Sequence, residues 1–479
     1  MLSLIMRRAD VDEASAPRFG ALIAQLSTSL QPLLGPAVQR QAEILGAQSE
    51  SLQPFKLPDR YMEAMSVSKA EIFVESGCLY VVTLQSADDS FAFMEETNDE
   101  AVIVRLNVSA ISSSGDTPQL EKIVETCKEV MGCELREYRF PSQEFEKIRE
   151  EAGDNFSPPS DDEVKASFVL TEKGNRSLAG RIKKSHGLLV ADLNKKGVAE
   201  VDFDIESARG ALEEAGIVSS EFMVTCGRNG QQIARAPEAE LIEKMSQAGV
   251  KCVCGKPIAR ERLEEALTIT DMGGGLLDKS RWLSIVVMEE LKNLGVKANE
   301  ILVESTIGGD ELDCIANVSG ELCLFELKDK EFSLREAYSF GAKMSIVSPR
   351  HAVIVTSEYV GGDAKDHFER SRKAGRSARM RRRDPGAPVV YIEGVDAIRS
   401  KLNEFVSSIH RSDAGRILIG AMPFAAVLPA SLLRVLEGSG STSSNESVSS
   451  SRRRAVRRRQ PAKVPPQQGG TAAPGPVPS

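Results

Sequence analysis

The sequence predicts an α/β protein built from several domains. Segments with apolar residues at helical spacing alternate with short runs rich in valine, isoleucine and leucine along most of the chain. A length of 479 residues allows about three domains of roughly 150 residues, each able to bury a core. Hydrophobic residues make up 41% and charged residues 27% of the chain, as is typical of soluble globular domains.

Composition also limits the function classes. A net charge of −9 argues against nucleic acid wrapped around the whole surface, although a local basic face is compatible with it. With a single tryptophan, we do not expect an aromatic platform for stacking bases. The eight cysteines are sparse for this length and predict reduced thiols rather than a disulfide framework. Because the N-terminus lacks a signal-peptide pattern, a cytoplasmic location is expected.

The first part of the chain predicts a leader and then an α/β domain. Residues 1–55 mix helix-forming stretches with Ser, Gln and Pro, which indicates a loosely packed leader. Over residues 56–152, apolar patterns predict three strands and one helix, at 71–75, 79–84, 101–108 and 120–131. No catalytic signature stands out there, so we expect a scaffold, partner-binding or sensing domain.

A smaller module is predicted over residues 163–270, after a linker at 153–162 that is rich in Gly, Pro and Asp. Residues 170–184 resemble the short basic helices of a helix-turn-helix or winged-helix unit. Exposed basic helices are also common elsewhere, so both interpretations stay open.

Three cysteines of this module resemble part of a zinc ribbon. Cys226 lies in one Cys-Gly turn, and Cys252 and Cys254 lie in a second turn that precedes a helix-like segment. A structural zinc site wants four ligands, but Asn229 stands where the first turn's partner would be and no histidine is near. The sequence therefore predicts either a bound structural zinc or a metal-free ribbon held by packing.

Residues 279–356 predict the order helix, three strands, helix, strand. A helix at 282–294, ended by Gly295, follows a glycine-rich joint at 271–275. The remaining segments are strands at 301–307, 312–318 and 322–327, a helix at 333–344 and a strand at 352–356. A further strand at 389–392 and a helix at 395–409 continue the α/β alternation.

Three charged residues interrupt the predicted hairpin around Ser319-Gly320: Asp313, Glu326 and Lys328. Glu326 and Lys328 share one face because strand side chains alternate. An acid and a base on a half-buried strand are costly unless they are paired or bound to a cation. A cross-strand salt bridge explains Glu326 and Lys328 but not the added Asp313, so a cation site is the second interpretation.

These residues resemble the motif of the restriction-endonuclease-like PD-(D/E)XK nuclease superfamily: an Asp at the start of one strand, then Glu-x-Lys at the end of its hairpin partner. The resemblance covers about residues 279–359, through WLSIVVMEELKNLG, GGDELDCIAN and LCLFELKD. More narrowly, the stretch is similar to the nuclease domain of CRISPR-associated ancillary nucleases, and also to archaeal Holliday-junction resolvases and Mrr-type restriction enzymes. It implies a restriction-endonuclease-like core (α-β-β-β-α-β) within residues 276–410, preceded by an α/β domain and the small zinc-ribbon-like or winged-helix module.

The resemblance also implies roles. Asp313 and Glu326 would bind Mg²⁺ or Mn²⁺ with the Leu327 carbonyl, and Lys328 would orient or activate the attacking water. Phosphodiester hydrolysis needs neutralisation of developing charge and a deprotonated water, which hard cations on carboxylates supply. We therefore expect a metal-dependent nuclease, with DNA favoured over RNA. The alternative is a catalytically inactive nuclease-fold protein that binds nucleic acid or a protein partner.

One departure from the family pattern bears on activity. Relatives usually carry a glutamate on the first helix, directly after the Trp-Leu pair, where this chain has Ser284. Glu289 and Glu290 lie more than a turn later, and Glu304 and Glu311 are nearby acids that could substitute. Loss of the helix acid could weaken a second metal position or mark an inactive relative.

Candidate phosphate contacts follow the hairpin. They are Arg335 and Tyr338 on the next predicted helix, and Arg379 and Arg381 within the arginine-rich run at 370–383. Alternative explanations are an ordinary helix surface for the first two and a solvated face for the arginine run. Assembly as a homodimer is left open.

The last two predicted segments differ sharply in composition. Residues 411–437 form an apolar segment, in which the charge-free stretch 417–433 is at the lower limit for a membrane span. A buried segment of the last domain is favoured over a membrane span. The Ser-, Pro- and Arg-rich residues 438–479 predict a disordered basic tail.

Overall fold

The described part of the protein contains three β-sheets covered by helices, which confirms the predicted α/β class. The computed structural model describes residues 2–33, 67–87, 103–153, 158–193, 204–307, 309–378, 387–421, 432–433 and 436. The arginines at 379 and 381 and the tail at 438–479 lie outside the described residues.

The first sheet is antiparallel, with the strand order β2-β3-β4-β5-β1-β6. Its strands are β1 (Ser3–Asp12), β2 (Gln31–Pro32), β3 (Val67–Glu75), β4 (Cys78–Ala87), β5 (Ile103–Ser112) and β6 (Arg136–Glu137). Helices α1 (Phe19–Leu26) and α2 (Leu120–Met131) pack on one face. The predicted strands at 71–75 and 79–84 are joined by a turn at Ser76 and Gly77, whose φ angles of 50° and 74° suit a two-residue turn.

The first residues differ from the loosely packed leader that the sequence predicts over 1–55. Strand β1 pairs with β5 over ten positions, from Ser3↔Ser112 to Asp12↔Ile103, and lies inside the sheet. Leu2 and Met6 are buried there. For residues 2–33 the prediction was wrong, because the partner strand lies about a hundred residues further on and local composition does not indicate such a pairing. Residues 34–55 lie outside the described residues.

The second sheet, with the order β7-β10-β8-β9, belongs to the middle of the chain. Its strands are β7 (Leu188–Leu189), β8 (Val218–Thr225), β9 (Gln232–Ala236) and β10 (Arg262–Ile269). Helix α3 (Gln143–Ala152) precedes this part and packs in the core of the third sheet. The helices of the second-sheet part are α4 (Asp161–Val169), α5 (Lys173–Lys184), α6 (Ile205–Glu214) and α7 (Ala239–Gln247). The predicted basic helix is present as α5, while the winged-helix or zinc-ribbon identity of the module stays a prediction.

The glycine-rich residues 271–275 form part of a helix rather than the predicted flexible joint. Helix α8 (Asp271–Leu277) begins after Thr270, whose hydroxyl accepts a hydrogen bond from the Gly273 amide at 3.0 Å. A Cβ atom at Gly273 would lie 2.2 Å from the Ile217 carbonyl oxygen. Glycine is therefore needed here for close packing and not for flexibility.

The third sheet has the order β11-β12-β13-β14-β15. Its strands are β11 (Ile301–Ile307), β12 (Asp310–Val318), β13 (Glu321–Lys328), β14 (His351–Thr356) and β15 (Val389–Glu393), with helices α9 (Arg281–Asn293), α10 (Leu334–Val347), α11 (Gly362–Ala378) and α12 (Ile398–Ala421). Strands β11 to β13 are antiparallel, whereas β14 and β15 continue parallel to β13. The predicted order of helix, three strands, helix and strand over 279–356 is present.

Helices cover both faces of the third sheet. Phe325 and Leu327 of β13 belong to the core formed with α9 and α12. Leu324 belongs to the opposite core, with α3, α10 and α11. Because side chains alternate along a strand, Glu326 and Lys328 point to the α10 side.

Helix α12 joins the third sheet to the first. Leu402 and Val406 pack in the core of the third sheet, whereas Ala414 and Leu418 share a core with Ile72 of the first. Residues 411–421 of the predicted apolar segment therefore belong to a buried helix end. Among the residues that the structure describes, no helix is long and apolar enough to cross a membrane.

Candidate functional site

Four charged side chains meet where β12 begins and β13 ends. Lys328 Nζ lies 3.0 Å from Asp313 Oδ2 and 2.9 Å from Glu326 Oε1. Lys343 Nζ, from α10, lies 2.7 Å from Glu326 Oε2 and 3.6 Å from Asp313 Oδ1. The three residues singled out by sequence thus lie together, and we call them with Lys343 the acid–lysine cluster.

A local change in strand pairing places Asp313 in this cluster. Regular pairing of β12 with β13 begins at Cys314↔Phe325. Just beyond it, the Leu327 amide donates to Asp313 Oδ2 at 2.8 Å. A side-chain carboxylate therefore accepts the hydrogen bond in place of a backbone carbonyl, and this bond fixes Asp313 beside the end of β13.

Burial gives the acid–lysine cluster its unusual electrostatics. Glu326 is only 2% exposed. Burial, and then the nearby Asp313 carboxylate, raise the pKa of Glu326, while the two lysines oppose that rise. Burial alone would lower the pKa of Lys328, but Asp313 and Glu326 outweigh it and raise that pKa. A buried carboxylate beside a half-buried one requires positive charge nearby, which lysines or a metal cation can supply.

Lys343 is the member of the cluster that the sequence interpretation missed. Its helix was predicted, but a lysine near the end of an amphipathic helix carries no specific signal. The charge balance of the predicted cluster was the feature of the sequence that could have indicated a second lysine. Two half-buried carboxylates with one lysine leave one negative charge, which the helix that covers Glu326 could be expected to neutralise.

The acids that the sequence offers in place of a glutamate at position 284 have other partners. Ser284 is buried in α9 and carries no charge. Glu304 Oε2 lies 2.6 Å from Arg281 Nη1, and Glu311 Oε1 lies 2.8 Å from Lys279 Nζ. No group of three carboxylates comparable to a full metal-ligand set is found at the cluster within the described residues.

Glu304 nevertheless keeps a free ligand atom beside the cluster. The pairing of β11 with β12 runs through Val303↔Cys314 and resumes after Glu304, which places Glu304 next to Asp313. Its φ angle of 52° is strained for a strand residue with a side chain. Its Oε1 is buried without a hydrogen-bond partner, which is costly. Glu304 therefore lies opposite Asp313 with one carboxylate oxygen unpaired, but it does not form a three-acid group with Asp313 and Glu326.

The residue after Lys328 connects the cluster to two helices. Asp329 Oδ2 accepts a hydrogen bond from Trp282 Nε1 at 3.1 Å. Asp329 Oδ1 lies 3.4 Å from Arg176 Nε of α5, and the Asp329 amide donates to Ser280 Oγ at 3.1 Å. The end of β13 is therefore held by side chains from the second-sheet module and from α9.

The two predicted phosphate contacts that the structure describes, Arg335 and Tyr338, are not among the paired charges of the cluster. Arg335 and Tyr338 are exposed on α10, and the Tyr338 and His367 rings have centroids 4.5 Å apart. Arg335 lines an open cleft of about 500 Å³ between the starts of α10 and α11. Arg379 and Arg381 lie outside the described residues, so their role stays a prediction.

The donor atoms fit a hard divalent cation. Asp313 and Glu326 offer carboxylate oxygens, the ligands that Mg²⁺ and Mn²⁺ prefer. Mg²⁺ is commonly held by one or two carboxylates, with water and substrate phosphate completing its shell. The two carboxylates of the cluster therefore meet this minimum.

A second cluster forms where the three predicted cysteines meet Glu261. The Sγ atoms of Cys226, Cys252 and Cys254 and a Glu261 carboxylate oxygen all lie within 4.8 Å of one another, an arrangement that could hold a metal ion. The Cys254 thiol donates to Glu261 Oε1 at 2.8 Å. Sequence reasoning missed Glu261 because it searched for cysteine and histidine at ribbon spacing. The three cysteines are one ligand short of the four that a structural zinc site needs, and this shortfall could have indicated a nearby acid.

Comparison with known proteins does not assign the chain to a family. No family model and no curated protein matches it. The solved structure of protein VC1899 from Vibrio cholerae is similar at 13% identity and a TM-score of 0.29, over 57% of this chain and 58% of that one. The solved protein of unknown function AF1548 is similar at 15% identity and a TM-score of 0.18, over 32% of this chain and 92% of that one. Similarity at this level carries no argument about fold or activity.

Proposed function

We propose that this protein is a metal-dependent nuclease that hydrolyses phosphodiester bonds in nucleic acid, with DNA as the favoured substrate. One observation carries the proposal: Asp313, Glu326 and Lys328 converge at adjoining strand ends in a buried cluster. The order of helix, three strands, helix and strand around them supports a restriction-endonuclease-like core. Within it, Asp313 and Glu326 are the proposed Mg²⁺ or Mn²⁺ ligands.

Each residue of the cluster has its own role in the proposed reaction. When bound, the divalent ion would neutralise charge that develops on the phosphate and lower the pKa of water. Asp313 is fixed by the Leu327 amide, so it presents its carboxylate in one orientation. Lys328 lies against both carboxylates and can stabilise the scissile phosphate or orient the water. The buried position of Glu326 keeps these charges in a low-dielectric setting, where each interaction is stronger.

Lys343 has a distinct role in this proposal. Its ammonium contacts both Glu326 and Asp313, so it neutralises the carboxylates when no cation is bound. A divalent cation would compete with it for Glu326 Oε2. The released ammonium would then be available to a substrate phosphate, together with Arg335 on the same helix.

The second candidate is an inactive nuclease-fold protein that binds nucleic acid or a protein partner. Two observations favour it: Ser284 replaces the helix acid, and lysines already pair with both carboxylates of the cluster. Salt-sensitive binding of nucleic acid without cleavage under any divalent ion would select this candidate.

Zinc, in a structural role, is the metal proposed for the cysteine cluster.

The test is a cleavage assay of the full chain with Mn²⁺ on single- and double-stranded DNA and RNA. We expect cleavage by the wild type, loss of cleavage in Lys328→Ala, and no cleavage in the presence of a chelator. Lys330→Ala is the matched control, because Lys330 lies two residues further on with a side chain 65% exposed. Equal activity of Lys328→Ala and the wild type would refute the proposal.

A further inference from the structure

The cysteine cluster joins three separate segments of the second-sheet module. Cys226 directly follows β8, Cys252 and Cys254 lie in the turn after α7, and Glu261 directly precedes β10. Their four ligand atoms lie within 4.8 Å of one another. A tetrahedral zinc with Zn–S bonds of about 2.3 Å keeps its sulfur atoms about 3.8 Å apart. The cluster therefore needs only a small contraction to reach this geometry.

Both cysteine turns are closed by backbone hydrogen bonds. The Cys226 amide donates to the Gln231 carbonyl, and the Cys252 amide donates to the Lys256 carbonyl, each at 2.8 Å. The Cys254 amide points to Cys252 Sγ at 3.5 Å. The turns thus hold the thiols in place before any metal arrives.

Glu261 is placed as a fourth ligand would be. The residue is 9% exposed, its Oε2 accepts from the Gly227 amide at 2.7 Å, and its Oε1 accepts from Cys254 Sγ at 2.8 Å. One oxygen is therefore anchored to the first turn while the other faces the thiols of the second. A carboxylate that converges with three thiols in this way is positioned as a metal ligand is. A metal ion explains its position.

The surrounding core is too small to explain the fold of this region alone. The hydrophobic cluster between β8, β9, α7 and the turn before β10 contains four buried side chains: Val224, Ala236, Ile242 and Ile258. Small units with so little apolar burial usually need a metal or disulfides for stability. The cysteines here are free, so a bound metal, and not a disulfide, would add to the stability that the pairing of β8 with β9 and β10 gives.

We infer that Cys226, Cys252, Cys254 and Glu261 bind one Zn²⁺, with Glu261 in the place of a ribbon's fourth cysteine. Four protein ligands leave no open position, so the site is structural and not catalytic. It fixes the start of β10, the strand that leads into α8 and α9. The inference does not depend on the proposed nuclease activity.

The test begins with metal content. The purified full chain, passed through a desalting column with a chelator, should retain one zinc per chain by mass spectrometry. Cys254→Ser should lose it, whereas Cys133→Ser, a free cysteine of the first domain, should retain it. Glu261→Gln should release zinc to a competing chelator at least about tenfold faster. Wild-type protein without stoichiometric zinc would overturn the inference.

Cobalt substitution distinguishes ligand loss from misfolding. The thiolate-to-cobalt charge-transfer absorption scales with the number of bound thiolates. Glu261→Cys should therefore raise it by one third over the wild type, whereas Glu261→Gln should leave it unchanged. A gain of absorption cannot come from a variant that fails to fold. If Glu261→Cys adds no absorption, or Glu261→Gln holds zinc as tightly as the wild type, Glu261 is not a ligand and the inference fails.

Discussion

Replacing Lys343 with alanine tests the acid–lysine cluster most directly. Lys343 contacts Glu326 at 2.7 Å and Asp313 at 3.6 Å, and its side chain is 12% exposed. Removing one partner of a buried ion pair costs about 3–5 kcal/mol. We expect a loss of this size in the free energy of unfolding measured with urea. Lys330→Ala should cost less than about 1 kcal/mol, because Lys330 is mostly exposed.

Divalent ions should reverse part of this loss. Without Lys343 the cluster carries one uncompensated negative charge, so Mn²⁺ should bind the variant more tightly than the wild type. A ligand at a hundred times its dissociation constant stabilises a protein by about 2.7 kcal/mol. Adding Mn²⁺ should therefore stabilise Lys343→Ala more than the wild type, so that the unfolding midpoints of the two proteins lie closer together with Mn²⁺ than without it. An equal effect of Mn²⁺ on both proteins, or no loss beyond the Lys330→Ala control, would refute a charge-balanced cation site.

The same variant has a defined pH dependence. Lys343 is one of the groups that hold down the pKa of Glu326, which burial already raises above its ordinary value of 4.5. Removing Lys343 should raise that pKa further. An acid with a raised pKa in the folded state contributes stability below its unfolded pKa and loses it as the pH rises. The stability gap to the wild type should therefore be small near pH 4.5 and widen toward neutral pH.

Three further predictions use thermal or urea unfolding. Gly273→Ala should cost about 1–3 kcal/mol, because its Cβ would lie 2.2 Å from the Ile217 carbonyl oxygen; an unchanged midpoint would contradict this packing. Gly274→Ala, with nothing within 4 Å of the added Cβ, should be neutral or stabilising by up to about 1 kcal/mol. Asp329→Ala should cost about 1–3 kcal/mol, because it leaves Trp282 Nε1 and Arg176 without this partner, and equal stability would show that these bonds contribute nothing.

Local patterns predicted the elements well where neighbours in sequence decide the structure. The helix predicted at 120–131 and the strand at 301–307 coincide with α2 and β11. The hairpin turns at Ser319-Gly320, with φ angles of 50° and 75°, as a two-residue connection requires. These features depend on side-chain spacing and turn chemistry, which the sequence contains directly.

The features that sequence reasoning missed depend on distant partners. β1 finds β5, Lys343 reaches Glu326, and Glu261 meets the cysteines only after the chain has folded. No local pattern identifies such partners. Charge and ligand counts still narrowed the search, since two buried acids require compensation and three thiols require a fourth ligand. The unbalanced charge at the acids and the missing fourth ligand at the cysteines therefore indicated that further residues were involved, but not which residues.

Charge balance connects the missing helix acid with the two lysines. Asp313 and Glu326 carry two negative charges, which Lys328 and Lys343 neutralise, while Glu304 is paired with Arg281. A divalent cation would leave the cluster with two positive charges. A phosphodiester and a deprotonated water together carry two negative charges, so that state is electrostatically complementary to the reacting pair. This complementarity needs no acid at position 284, where the serine is buried in α9, the helix that packs with Phe325 and Leu327 on the other face of the sheet.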